Sequence, residues 1–202
     1  MQGENMILKT IATLVFTGTL AFGITQSEID TKIKADLDAV VKMLQNNISD
    51  ISQKSQKIFS VFEDVFDFEQ MAKNCLGKQQ WNALDEKQQK EFIDKFVKRL
   101  KESYAEKLKF YTNQKIELEK STQTSPTRIQ LPMFLLDSDG KRYDVVYKFY
   151  DTKQTKGWLI YDVDILGVSI TQTYRSQFEG VLKNGSFENL IKKIESIDIA
   201  QQ

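Results

Sequence analysis

The stretch GWLIYDVDILGVSITQTYRSQF, Gly157 to Phe178, most constrains the chain, because its hydrophobic period changes within one short segment. Trp158, Leu159, Ile160 and Tyr161 form an aromatic and aliphatic run bounded by Gly157, as a strand does. Gly167 ends the run. Ser169 and Gln172 then make an S-x-x-Q capping box, and Ile170, Tyr174 and Phe178 recur every four residues on one helix face. These spacings describe a strand that turns into a helix lying back over its own sheet.

Upstream, the period is helical. One stripe, Ile33, Leu37, Val41, Leu44, Ile48, Ile51, Ile58 and Phe62, predicts a long amphipathic helix from Ser27 to about Phe62. Ser49, Ser52 and Ser55 mark a kink or break in it. A coiled coil is the rival reading, but it needs a longer heptad repeat. Asp67 and Gln70 open the next helix and Leu76-Gly77 closes it. Trp81 and Leu84 form a short helical link. Asp85 and Gln88 then cap the clearest helix, whose face carries Phe92, Phe96, Leu100, Tyr104 and Leu108.

After Asn113 the period becomes alternating. Ile116 and Leu118 are followed by Ile129, Leu131, Met133 and Leu135, then by Tyr143, Val145, Tyr147 and Phe149, then by the run that begins at Trp158. Asp137-Ser138-Asp139-Gly140 supplies a turn. Ser186 caps a last helix through Leu190, Ile191, Ile194 and Ile197. The expectation is an α+β domain, with helices packed on one face of a four-stranded antiparallel meander.

Composition removes whole classes of chemistry. The 202 residues hold 28 Lys+Arg against 28 Asp+Glu, so the basic surface that nucleic acid demands is missing. There is no histidine and one cysteine, which rules out Ser-His-Asp and Cys-His catalysis and any intrachain disulfide. Residues 1–23 read as a signal peptide: Lys9 precedes an apolar run from Ile11 to Ile24, and Ala21 and Gly23 place small residues for cleavage after Gly23. An uncleaved anchor is the alternative, although a span needs about 20 apolar residues. Residues 24–202 then form a single exported domain.

Few residues offer reactive chemistry. Asp162 and Asp164 share a strand face and could work as an acid/base pair; a solvated face, or one acid bonded to a helix terminus, is the plainer reading. Asp137, Asp139 and Gly140 lack the remaining ligands of a calcium loop, and no metal site is expected. Cys75 lies on an apolar helix with nothing to lower its pKa. Arg175 suits a lipid phosphate, an acid on a partner, or an ordinary surface ion pair. What remains is aromatic and aliphatic surface, and periodicity cannot distinguish a filled gap between helices and sheet from an open one.

The order W-x-I-x-D-V-x-I-x-G-V-S, from Trp158 to Ser169, followed by Y-R-x-Q-F from Tyr174, resembles the MlaC (toluene-tolerance) family of periplasmic phospholipid-binding proteins. Phe66-Asp67-Phe68-Glu69-Gln70-Met71-Ala72, then Leu76-Gly77 and Trp81, also resembles that family, as does Phe92 to Leu100 with Tyr104, Leu108 and Tyr111. The similarity covers nearly all of the exported chain. It departs at Asn74-Cys75, where the family would place larger apolar residues.

The resemblance implies a non-enzymatic periplasmic carrier with no cofactor and phospholipid as cargo. Its partners would be an inner-membrane ABC transporter complex containing an MCE-domain protein and an outer-membrane lipoprotein–porin complex. Acyl tails would occupy an apolar cavity between helices and sheet, with the headgroup in solvent. The lining expected from facing logic and resemblance is Val145, Tyr147, Trp158 and Ile160 on the sheet, Phe92, Phe96, Leu100 and Tyr104 on the long helix, Met71 and Leu76 before it, and Val168 and Tyr174 after the Gly167 turn. The alternative is an exported, lipid-free protein-interaction module. An enzyme built on an open α+β sheet ranks third.

Overall fold

The computed structural model describes residues 23–45, 51–108, 111, 114–153 and 156–197. The chain runs through α1 (Ile29–Gln45), α2 (Ile51–Val61), α3 (Phe68–Leu76), α4 (Lys78–Ala83), α5 (Glu86–Leu108), strands β1 (Lys115–Leu118), β2 (Thr122–Ser125), β3 (Arg128–Leu136), β4 (Arg142–Asp151), β5 (Trp158–Ile165) and β6 (Val168–Ser169), then α6 (Ile170–Asn184) and α7 (Phe187–Ser196). The predicted signal peptide lies outside the described residues, except for Gly23.

Four helices begin where side chains take up their free amides. Asp67 accepts from the Gln70 amide at the start of α3, Ser169 from Gln172 at α6, and Ser186 from Asn189 at α7. Such a cap contributes about 1 kcal/mol. At α5 the box is reciprocal: the Gln88 amide donates to Asp85 at 2.8 Å and the Asp85 amide to Gln88 at 3.1 Å.

All strand pairs are antiparallel, in the order β1-β3-β4-β5-β6, with β2 also on β3. Ile129, Leu131 and Met133 are buried and alternate with Arg128, Gln130 and Pro132; Val145, Tyr147 and Phe149 do the same on β4. One face of the sheet is therefore the covered one, as expected. The sheet has six strands, not four. Thr122–Ser125 carries no apolar residue, so its pairing with β3 left no hydrophobic trace. Val168–Ser169 is a two-residue return strand placed between β5 and α6. The single long helix expected from Ser27 to Phe62 is two helices that pack on each other. Ser49 lies in the undescribed stretch between them, while Ser52 and Ser55 are part of α2.

The outer edge of β5 holds the helical layer in place. The Trp158 amide donates to the Ile24 carbonyl at 2.9 Å, the Ile160 amide to Val65 at 2.7 Å, and the Asp67 amide to the Ile160 carbonyl at 2.8 Å. Further along, Asp164 and Ile165 pair with Ser169 and Val168. Each docking point leads directly into helix. Thr25 starts the 3-10 turn that runs into α1, Asp67 caps α3 and Ser169 caps α6.

At the first docking point two glycines meet. Gly157 has φ +68°, and a Cβ there would lie 2.5 Å from the Ile24 carbonyl oxygen. Gly140 also has a positive φ, +77°, but nothing stands within 4 Å of its missing Cβ. Gly140→Ala is expected to cost about 1 kcal/mol from backbone conformation alone, and Gly157→Ala at least about twice that, because the Ile24 strand must also move. Urea unfolding of both variants checks this; equal losses would show that the 23–25 segment is not docked on β5.

Candidate functional site

Eleven of the twelve lining candidates fall inside one connected apolar core or against it. Met71, Leu76, Phe92, Phe96, Leu100, Val145, Tyr147, Trp158, Ile160 and Tyr174 are buried in it, and Tyr104 is partly buried against it. Val168 is not there. It sits 59% exposed beside Leu166, also 59% exposed, at the tip of the β5–β6 hairpin, because Leu166 and Gly167 take the turn at φ +53° and +80°.

Aromatic rings fill the core in two nests. Between α5 and α6, Phe96 meets Tyr174 edge-on at 5.1 Å and Phe92 meets Phe178 at 5.8 Å. Before α3, Phe66 stacks on Phe68 at 5.5 Å and meets Tyr147 of β4 edge-on at 6.5 Å. Each pair contributes about 0.5–1.5 kcal/mol beyond its buried area. Phe178 lies on the Ile170–Tyr174 helix stripe and Phe66 in the segment that carries the family resemblance; neither is among the expected lining residues.

Of these pairs, Phe66–Tyr147 joins the segment before α3 to the sheet, whereas Phe96–Tyr174 and Phe92–Phe178 join helix to helix. Two clefts are lined mainly by polar and charged residues. One, of about 480 Å³, lies beside Arg128, Tyr150, Lys153 and Lys156. The other, of about 640 Å³, lies beside Lys73, Trp81, Tyr161 and Arg175. Arg175 packs over Gly77, its guanidinium nitrogen 3.1 Å from where a Cβ would stand, and reaches Glu179 at 3.9 Å. The departure at Asn74-Cys75 is absorbed by polar bonding: Gln70 donates to the Asn74 amide oxygen at 2.9 Å, and Asn74 donates to the Tyr161 carbonyl at 3.5 Å.

Asp162 and Asp164 are a structural pair. Asp162, 4% exposed, accepts from the Thr171 amide at 3.1 Å, the Ser169 hydroxyl at 2.7 Å and Lys148 at 3.1 Å, and Lys148 also reaches Asp164 at 2.5 Å. A buried carboxylate is tolerable when its lone pairs are so used. It fixes the start of α6 on β5, as the plainer sequence reading had it. Burial works against the Lys148 charge, yet its bonds to Asp164 and Asp162 outweigh that and raise its pKa. Burial pushes the Cys75 thiol well up, and the nearby Asp162 charge adds to it, so the thiol stays protonated.

The geometry defines a helix-on-sheet α+β domain with an aromatic interior, in which the buried Asp162 is engaged in structural bonds. Among the described residues no helix is long and apolar enough to cross a membrane, and no cluster of three or more Cys, Asp or Glu could hold a metal ion. The sequence profile of the MlaC protein family matches residues 34–196, and the chain belongs to that family. Over 194 residues, 92% of this chain and 90% of the relative, it is 22% identical to the intermembrane phospholipid transport system binding protein MlaC of Haemophilus influenzae. Its fold is similar to that of a phospholipid-binding protein from Ralstonia solanacearum solved in complex with a phospholipid, with a TM-score of 0.69 at 21% identity over 82% of this chain and 94% of that one.

Burial raises the phenol pKa of Tyr104, Tyr147, Tyr150 and Tyr174. The Asp162 charge adds at Tyr104, Asp36 at Tyr147, a hydrogen bond to Asp67 at Tyr150, and Cys75 and Tyr104 at Tyr174. A raised phenol pKa gives stability that is complete below the unfolded value near about pH 10 and is lost as pH climbs beyond it. Four of the seven tyrosines are therefore expected to ionise together with unfolding. Phenolate absorbance and far-ultraviolet dichroism should change in one coincident alkaline step. Full ionisation with the dichroism intact would contradict the burial of these four.

Proposed function

We propose that this protein is a phospholipid carrier that encloses acyl tails between its helical layer and its sheet and leaves the headgroup in solvent. The observation that carries this reading is the kind of contact that closes the interior. α5 bears Phe92, Phe96 and Leu100 and forms no hydrogen bond to a strand among the described residues. Its other bonds go to helices and their flanks: Lys95 to Glu195, Lys101 to Glu63, and Arg99 to the Ile197 carbonyl. The ties between helices and sheet concentrate along the β5 edge. Tails can therefore replace side chain contacts under α5 and α6 without breaking a sheet-to-helix bond of α5.

Membership of the MlaC family and the likeness to a phospholipid-bound fold support the same reading. A lipid with two tails loses about 0.8 kcal/mol for every methylene exposed to water, so transfer across an aqueous space requires enclosure. The aqueous space we assign is the periplasm, reached by cleavage of the 1–23 leader, with Ile24 as the first residue retained and its carbonyl on Trp158. The donors and acceptors of lipid would be an inner-membrane complex of MCE-domain and ABC-transporter type and an outer-membrane lipoprotein–porin complex. A carrier of this kind needs no cofactor and no acid–base set, which suits a chain without histidine.

Lipid extraction and mass spectrometry test the reading directly. Protein purified from cells without detergent is expected to release phospholipid, and a yield of none would refute the carrier role. Tyr147→Trp, which adds ring volume against Phe66, is expected to lower the lipid carried per protein with the folded dichroism retained. Unchanged lipid content in that variant would take Tyr147 out of the lining.

A further inference from the structure

The larger of the two clefts, of about 640 Å³, is lined by four cations, Lys73, Lys78, Lys148 and Arg175, and by one carboxylate, Asp162. The chain as a whole has no net charge, so this excess is local. Asp162 does not offset it. Its oxygens are taken by the Ser169 hydroxyl, the Thr171 amide and Lys148, and Lys148 also reaches Asp164 at 2.5 Å. Lys148 is thus neutralised within the sheet, and Lys73, Lys78 and Arg175 remain. Lys73 pairs with Glu69 at 2.6 Å, and Arg175 stands 3.9 Å from Glu179, at the outer limit of an ion pair. Neither glutamate lines the cleft, and Lys78 has no ion pair among the described residues. Two of the three charges rest on a support. The Arg175 guanidinium lies on Gly77, where a Cβ would stand 3.1 Å from it, and the Lys73 ammonium lies 5.3 Å from the centre of the Trp81 ring.

We propose that this cleft binds a phosphate group, held by Arg175 of α6 together with Lys73 of α3 and Lys78 of α4. Cations supplied by three separate helices suit an anion with more than two oxygens. A guanidinium takes two of them side by side and leaves the others for the ammonium groups, which act as point charges. A carboxylate has no oxygen left over. The head of α6 adds nothing to the site, because Asp162 already serves its amide at Thr171. Two sources offer the same group to the cleft, a lipid headgroup at a bilayer surface and a soluble phosphate ester. The assignment goes beyond the carrier reading and does not depend on it.

The test titrates the purified, nitrogen-15-labelled protein with glycerol 3-phosphate at low ionic strength, where such contacts are least screened. Saturable shifts are expected in the amides of Lys73, Lys78 and Arg175 and in the Trp81 indole. Arg175→Gln combined with Lys78→Gln should weaken binding by about tenfold or more, the worth of lost charge-assisted bonds. Lys78→Gln alone, at an exposed residue, should weaken it in the same direction and keeps the test valid should Arg175→Gln disturb the seat on Gly77. Lys34→Gln, at an exposed ion pair of α1, should leave it unchanged. Acetate should compete less well than inorganic phosphate by roughly tenfold. Flotation with vesicles of equal parts phosphatidylethanolamine and phosphatidylglycerol separates the sources. Vesicle binding that the double variant loses assigns the lipid headgroup; vesicles that do not bind, or that bind the double variant equally, assign a soluble ester. No saturable shift at the cleft, an unchanged affinity in the double variant, or equal competition by acetate overturns the phosphate site. None of these results alters the amount of lipid extracted from the purified protein, so the carrier reading is judged separately.

Discussion

The arrangement depends on the outer edge of β5. An exposed strand edge offers unpaired amides and carbonyls, and proteins cover such edges or pay in aggregation. Here three separate segments cover it in turn: Ile24 at Trp158, Val65 to Asp67 at Ile160, and Val168-Ser169 at Ile165 and Asp164. Each covering segment is also the lead-in to a helix. One set of backbone bonds therefore satisfies the edge and sets where α1, α3 and α6 begin, which in turn decides what faces the sheet.

Asp162 adds the polar lock to that seam. Its carboxylate takes the Thr171 amide and the Ser169 hydroxyl on one side and Lys148 of β4 on the other. The bond to an amide at the head of α6 also places negative charge where the helix dipole favours it. The charge of the lock acts on Cys75 and Tyr104 in the interior, where burial raises the pKa of both. Charge thus holds the frame, and the space between the layers is left to contacts without direction.

The layout of the fold was legible where burial is one-sided. β3 and β4 have one covered face, so their alternation could be read directly, and caps at Asp67, Asp85, Ser169 and Ser186 marked helix starts to the residue. β2 was not legible, because Thr122–Ser125 is polar on both faces. Nor was the run Leu159-Ile160-Tyr161 readable as alternation: a bulge leaves Tyr161 as the extra residue, with Lys148 opposite Asp162 and Phe149 opposite Ile160. The candidate site divides along the same line. Residues chosen from helix stripes or alternating strands, such as Phe96, Tyr147 and Tyr174, are in the core. Val168, placed after the Gly167 turn by facing logic and resemblance, is out on the hairpin tip, since Leu166 takes a left-handed conformation that no pattern announces.

The apolar interior bears on what sets the balance of a carrier. A methylene is equally dry in a bilayer and in a protein core, so the roughly 0.8 kcal/mol it loses in water cancels between donor membrane and carrier. What decides occupancy is the difference between the contacts given up when the layers part and those gained by the tails. Edge-on ring pairs at 5.1 to 6.5 Å are individually small and non-exclusive, so opening beneath α5 forfeits dispersion contacts that hydrocarbon restores. Hydrogen bonds would not be restored in that way; the backbone bonds that tie helix lead-ins to the sheet lie at the β5 seam, with side-chain ties at Tyr150–Asp67 and Ser121–Asp30. On the carrier reading proposed above, a bonded margin set apart from the ring-lined interior would let one fold serve both the empty and the loaded protein.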